Sequence, residues 1–134
     1  DFPHVEAIWR EAGMAAPQRG DTADVVDQTL RHEGARLLIL EDATSGLPVG
    51  TSWMTCDGRR LHLHHFAVAG ALRGRGLSKI LLHASLLHAK AAGIQVKLEV
   101  HKSNQAAVGL YRKAGFETIG DYEVYIIRDL SRIP

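Results

Sequence analysis

A short run of arginines and glycines, Arg73–Ser78 (RGRGLS), stands between a predicted strand and a long predicted helix. Gly74 and Gly76 allow a tight turn and a close approach of the backbone to a ligand, because glycine has no Cβ. The helix that follows would present its first unpaired N–H groups and the positive end of its dipole at the same place. Together with Arg73 and Arg75, these features predict a binding site for a phosphate or pyrophosphate.

Two familiar phosphate-binding patterns are not present in this sequence. Dinucleotide-binding proteins carry G-x-G-x-x-G with an acidic residue about twenty positions further on, and Ile94–Val100 follows a different pattern. ATP-binding P-loops end in G-K-[ST], and the missing lysine disfavours an ATP site. A basic surface loop is the simplest alternative. The position between strand and helix favours the pyrophosphate of another cofactor.

The elements around this turn alternate along a chain of 134 residues, which is long enough for one domain, 1–134. The predicted helices span Pro3–Met14, a segment capped by Asp21 or Thr22, the long segment after Gly76, and Gln105–Ala114. The predicted strands span Arg36–Asp42, Val49–Thr55, Arg60–Val68, Ile94–Val100 and one or two strands within Phe116–Leu130. This order indicates an α+β fold with a mixed, mostly antiparallel sheet and helices on both faces.

Two of these elements have informative apolar patterns. In the third strand, Leu61 and Leu63 lie on one face, whereas Phe66 and Val68 lie on the other. A β-bulge between them, which would splay the strand, is favoured over burial of both faces. The long helix has apolar residues at three- and four-residue steps, which predicts one inward stripe. Its members are Leu77, Ile80, Leu81, Ala84, Leu87 and Ala91.

Composition excludes several classes of function. The formal net charge is +1 and 46% of the residues are hydrophobic, so charge gives no indication of nucleic-acid binding. The longest apolar runs are too short to span a membrane, and the N-terminus does not resemble a signal peptide. The single cysteine, Cys56, excludes an internal disulfide and suits the reducing cytoplasm. We interpret it as a small apolar strand residue and not as a nucleophile.

Two motifs resemble the GNAT N-acetyltransferase superfamily. Arg73-x-x-Gly76-x-Ser78 resembles its acetyl-CoA signature, R/Q-x-x-G-x-G/A. A second run resembles its hallmark L-E-V … N-x-x-A-x-x-L-Y-x-x-x-G-F. The matching residues are Leu98, Glu99, Val100, Asn104, Ala107, Leu110, Tyr111, Gly115 and Phe116. The resemblance covers Leu61 to Phe116, and the order of elements extends it to the whole chain.

The sequence departs from the family pattern at two places. Ser78 stands where the family has glycine or alanine, and serine is small enough to admit the phosphate. The family's first strand precedes the first helix, where only Asp1 and Phe2 remain, so this strand is short or missing. The Arg36–Asp42 strand would then be an edge, which a second subunit could cover in a homodimer.

The resemblance implies that acetyl-CoA is a co-substrate and that no metal is needed. It implies that the backbone of Phe66, Ala67 and Val68 binds the pantetheine arm. The pyrophosphate would lie on the amides of six residues: Arg73, Gly74, Arg75, Gly76, Leu77 and Ser78. Asn104 is expected to contact the cofactor and to cap a helix.

Attack of an amine on a thioester needs a base for the amine proton and an acid for the departing thiolate. The resemblance implies that Tyr111 is the acid. The alternative is that Tyr111 is only an aromatic residue of the core. Glu99 matches the general base of the ribosomal-protein N-terminal acetyltransferases, although a solvated strand charge is also compatible. His64, His65 or a water are the other base candidates. His62 and His64 lie on one strand face, but no third metal ligand has suitable spacing.

The sequence therefore predicts an acetyltransferase that moves an acetyl group from acetyl-CoA to a primary amine by direct attack in a ternary complex. A non-catalytic acyl-CoA-binding or regulatory module on the same fold is the alternative. The acceptor, a small-molecule amine or a peptide or protein amine, is expected to bind at the first two helices and the C-terminal strands. The residues expected there are Trp9, Arg19, Arg31, Tyr122 and Tyr125. They do not indicate one acceptor.

Overall fold

The computed structural model describes residues 2–134 of the chain. In chain order its elements are α1 Phe2–Glu11, α2 Ala23–Leu30, β1 Arg36–Glu41, β2 Pro48–Cys56, β3 Arg60–Val68, α3 Leu77–Ala92, β4 Gln95–Leu98 and α4 Gln105–Lys113. Short 3₁₀ turns occupy Pro17–Arg19, Gly70–Leu72 and Leu130–Arg132. The chain packs as two compact units, which divide between His101 and Lys102. No helix in the described part of the chain is long and apolar enough to cross a membrane.

The first unit is built on one four-stranded sheet of order β1-β2-β3-β4. β1, β2 and β3 are antiparallel neighbours, and β4 lies parallel to β3, which confirms the predicted mixed, mostly antiparallel sheet. No strand lies between residues 2 and 35, and β1 is an edge of the sheet. This agrees with the prediction that the family's first strand is short or missing and that Arg36–Asp42 is an edge strand.

Helices cover both faces of this sheet, and β2 shows how. Its residues Thr51 and Trp53 face α1 and α2: Trp9 Nε1 donates to Thr51 Oγ1 at 2.8 Å, and Trp53 Nε1 donates to Thr29 Oγ1 at 3.0 Å. Ser52 faces the other way, and its hydroxyl lies 2.7 Å from that of Ser85 on α3. The core on the α1/α2 side comprises Val5, Ile8, Trp9, Val26, Trp53 and Ala67.

The buried face of α3 differs from the predicted stripe. Its buried residues are Leu81, Leu82, Ser85 and Ala89, whereas Ile80 and Leu87 are 58% and 52% exposed. Apolar residues extend around much of this helix, so their spacing alone does not select the inward face. The buried face also carries a polar contact, because buried Ser85 pairs with Ser52 and donates to the Leu81 carbonyl at 2.8 Å.

The second unit contains α4 and the C-terminal tail, and here the predicted strands within Phe116–Leu130 are wrong. The described tail has no strand between residues 116 and 134 and is irregular up to the turn Leu130–Arg132. Its apolar side chains are exposed, including Tyr122 at 83% and Tyr125 at 85%. A strand requires a hydrogen-bonded neighbour as well as suitable residues. The sequence supplied only the residues.

Candidate active site

A β-bulge interrupts β3 where the apolar phase changes, and it confirms the predicted bulge. Trp53 pairs with His64 and Thr51 with Ala67, so His65 and Phe66 together stand opposite the single residue Ser52. His65 has a positive φ of 43°, which only a few per cent of residues other than glycine adopt. As a result His64 and His65 face the same side of the sheet, where their rings lie 5.4 and 5.3 Å from the ring of Trp53.

Pairing between β3 and β4 ends just before the bulge. The parallel ladder runs from Arg60↔Gln95 to Leu63↔Leu98 and does not extend to Phe66–Val68. On its other side, β3 remains paired with β2 through Val68↔Gly50. β3 therefore parts from β4 beyond Leu63, and from there on the backbone on the β4 side of β3 is not paired with that strand.

The glycine–arginine turn follows directly and has the backbone that its glycines were expected to supply. Gly74 and Gly76 have φ values of 80° and 75°, and no heavy atom lies within 4 Å of a Cβ built on either. Gly76 is the N-cap of α3, and Ile80 N donates to its carbonyl at 3.4 Å. The amides of residues 77–79 precede this bond and point out of the helix end.

Arginine side chains lie on both sides of Gly74. Arg73 and Arg75 are exposed, and Arg73 Nε donates to the Val68 carbonyl at 3.2 Å, which ties the turn to the end of β3. Leu77 and Ser78 are partly buried at the start of α3. The turn can therefore offer backbone donors, the helix dipole and two cations to an anion.

His64 lies beside the divergence of β3 and β4 and is suited to accept a proton. Its Nε2 is 2.9 Å from Thr55 Oγ1. Burial lowers the pKa of His64 below 6.5, as do the neighbouring His62 and His65. The carboxylates of Asp21 and Glu99 oppose this shift, which places the exposed Glu99 within electrostatic range of His64. The imidazole is therefore neutral at pH 7.

His65 is held by a buried polar network that sequence reasoning did not find. Its Nε2 lies 2.7 Å from Asp21 Oδ2, and its carbonyl accepts from Thr51 Oγ1 at 2.8 Å. Burial lowers the pKa of His65, while Asp21 acts in the opposite direction. Trp9 packs against the ring at 4.5 Å and is only 1% exposed, so it cannot contact an acceptor as expected. Partners 44 residues apart leave no local sequence signal.

The hydroxyl of Thr51 accepts from Trp9 Nε1 and donates to the His65 carbonyl. Removal of this hydroxyl tests how much the network contributes to the free energy of unfolding. Thr51→Val keeps the shape but leaves the buried indole N–H of Trp9 without its acceptor. We expect a loss of about 1–3 kcal/mol in the free energy of unfolding, measured by urea denaturation. Thr51→Ser keeps the hydroxyl and is the control. Equal stability of the valine variant and the wild type would show that the hydrogen bonds contribute nothing net.

The second unit carries the other two predicted site residues. Asn104 caps α4, since its Oδ1 accepts from Ala107 N at 3.3 Å, which confirms the predicted cap. Tyr111 is buried on α4, and its ring lies edge-on to that of Phe116 at 5.6 Å. Burial raises the pKa of Tyr111 to about 12, so the phenol keeps its proton at neutral pH.

A metal-dependent site is not supported by the described histidines. His62 Nε2 lies 3.5 Å from Asp57 Oδ2, and the rings of His62 and His64 are 6.2 Å apart. Within residues 2–134 no three His, Cys, Asp or Glu side chains are grouped so that they could share a metal ion.

Comparison with known proteins gives concordant matches. The model of the acetyltransferase (GNAT) family matches residues 3–116. An L-methionine sulfoximine/L-methionine sulfone acetyltransferase of Pseudomonas aeruginosa is 31% identical over 119 residues, 85% of this chain and 67% of that protein. The ribosomal-protein-S18-alanine N-acetyltransferase of Escherichia coli has a TM-score of 0.70 at 24% identity, over 87% of this chain and 72% of its own. An Elizabethkingia anophelis GNAT acetyltransferase with bound acetyl-CoA has a TM-score of 0.59 at 21% identity. The match covers 72% of this chain and 61% of that protein.

Proposed function

The chain belongs to the GNAT family of acetyltransferases and is an acyltransferase, and we propose that it transfers acetyl from acetyl-CoA to a primary amine by direct attack in a ternary complex. One observation carries this proposal: the divergence of β3 from β4 leads directly into the glycine–arginine turn. The unpaired side of β3 could bind the arm that carries the thioester, and the turn that follows it could bind the pyrophosphate at the other end of that arm. The matched relatives are acetyltransferases, which favours catalysis over the non-catalytic binding module.

In this proposal acetyl-CoA lies along β3 and ends at the turn. The backbone of Phe66–Val68 binds the pantetheine arm on the side that β4 has left. The pyrophosphate binds the amides of Arg73–Ser78, where left-handed glycines and an open helix end support it. Ser78 adds a small hydroxyl in place of the family's glycine or alanine. Asn104 is proposed to contact the cofactor while it caps α4.

The proposed reaction balances with one base and one acid. The neutral amine attacks the thioester carbon, and Glu99 takes the proton that the nitrogen loses as the tetrahedral intermediate forms. The resulting oxyanion is stabilised by a backbone N–H on the open side of β3. As the C–S bond breaks, Tyr111 donates its proton to the thiolate, and the products are an N-acetyl amine and free CoA. Burial raises the pKa of Tyr111 to about 12, so the phenol carries its proton at neutral pH.

The proposed acceptor is a small-molecule amine or the amine of a peptide or protein. The Pseudomonas relative acts, by its name, on derivatives of an amino acid, which supports an acceptor of that size. We propose a cytoplasmic location, which the single cysteine supports, and neither a nucleic acid nor a membrane is a proposed partner. The uncovered edge of β1 supports a homodimer, in which a second subunit pairs with that edge.

A negative charge introduced at the turn tests the cofactor site. Acetyl-CoA is expected to raise the melting temperature of the wild type, since it binds only the native state, and Gly76→Asp is expected to abolish the increase. Gly76→Asn is the matched control, because aspartate and asparagine have the same shape and both tolerate a left-handed backbone. The asparagine variant should keep part of the increase. No increase for the wild type at saturating acetyl-CoA would contradict the proposed function.

A further inference from the structure

The residue at the bulge has an uncommon backbone conformation. A φ of 43° is readily adopted by glycine, and only a few per cent of other residues adopt a positive φ, most often asparagine, aspartate and histidine. Strained residues of this kind persist where the surroundings hold them, and they cluster at functional sites. Here the position is taken by His65, whose side chain is only 6% exposed.

Three separate contacts hold His65 in this conformation. Its Nε2 binds Asp21 Oδ2 at 2.7 Å, and its carbonyl accepts from the buried Thr51 hydroxyl at 2.8 Å. Its ring packs against the indoles of both Trp9 and Trp53, with centroids 4.5 and 5.3 Å away. Rotation of the bulge would break all of these contacts together, so the backbone conformation at residues 65 and 66 is strongly defined.

Asp21 connects the bulge to the entry of α2. It immediately precedes Thr22, which caps α2 by accepting from Val25 N at 3.3 Å. Its carboxylate is 22% exposed, so one side of the pair reaches solvent while the imidazole does not. The pair therefore links the segment between α1 and α2 to the point where β3 leaves β4.

We propose that Asp21 and His65 form a positioning pair, which holds the bulge so that the open side of β3 orients the acetyl group of acetyl-CoA. This inference rests on the proposed function and adds to it two residues that touch neither the pyrophosphate nor the pantetheine. The pair acts through the backbone at Phe66, which follows the bulge directly. A purely structural pair would affect stability and leave recognition of the acetyl group unchanged.

The test compares binding of acetyl-CoA and of CoA by isothermal titration calorimetry, because the two ligands differ only in the acetyl group. The wild type is expected to prefer acetyl-CoA by about fivefold, the effect of one typical hydrogen bond. His65→Gly keeps the left-handed backbone without the side chain, and Asp21→Asn keeps the fold and shape but removes the charge. Both variants are expected to bind CoA as the wild type does and to lose most of the preference.

His62→Asn is the matched control, because it disrupts a second His–Asp pair on the same strand, before the bulge. It should keep the preference for acetyl-CoA. A preference that survives in both His65→Gly and Asp21→Asn would overturn the positioning role, and so would a wild type that binds both ligands equally. If the wild type binds neither ligand, the proposed function itself fails and the positioning role with it.

Discussion

Glu99→Gln is expected to lower kcat by about 10²- to 10⁴-fold, the usual contribution of a general base. Glu99 lies just beyond the end of β4, where this strand has separated from β3, and its carboxylate acts on the titration of His64. Glutamine keeps the shape and removes the proton acceptor. Steady-state release of CoA with a panel of primary amines gives kcat, and the KM for acetyl-CoA should change little.

His64→Gln is the comparison that identifies the base. The imidazole of His64 is neutral at pH 7 because burial lowers its pKa, so it too could take the proton. If it were the base, kcat/KM would fall as the pH decreases through a value below 6.5, the ordinary pKa of histidine. A decrease that disappears in His64→Gln, together with normal turnover by Glu99→Gln, would assign the base to His64 and contradict the proposal for Glu99.

Tyr111→Phe is expected to lower the rate of acetyl transfer by a similar factor, about 10²- to 10⁴-fold, through loss of the proton donor to the thiolate. The pKa of Tyr111 is about 12, so the phenol stays protonated and should produce no decrease in kcat at mildly alkaline pH. Single-turnover measurements are preferred, since slow product release would hide part of the effect.

The control for Tyr111→Phe is the affinity for CoA, which calorimetry should find unchanged. Phenylalanine preserves the ring and its edge-on contact with Phe116, so α4 should keep its packing. An unchanged single-turnover rate would remove Tyr111 from the proposed chemistry and leave it as a core aromatic residue.

The sequence predicted the parts of the candidate site that depend on local chemistry. The phase change between Leu63 and Phe66 correctly indicated a bulge, because side chains on a strand alternate strictly unless a residue is inserted. The glycines correctly indicated a tight turn, and both have the positive φ that glycine readily adopts. The cap at Asn104 was predicted for the same reason: a short polar side chain just before a helix accepts a backbone N–H.

What the sequence did not predict depends on contacts between distant residues. The inward face of α3 contains the pairing of Ser85 with Ser52, and an apolar pattern contains no information about such a pair. Phe116–Leu130 contains the apolar residues of a strand, but a strand also needs a partner. The Asp21–His65 contact was missed because each residue had a sufficient local explanation, one as a candidate cap and the other as a candidate base.

The bulge in β3 also sets the assignment of side chains to faces along the whole strand. Before it, Leu61 and Leu63 point towards α3, and after it Val68 does, although these positions differ in parity. Strict alternation through the same residues would place Val68 on the face opposite Leu61 and Leu63. The extra residue at the bulge therefore lets both halves of the strand present apolar side chains to α3. Deletion of one residue there would keep these faces and remove only the bulge.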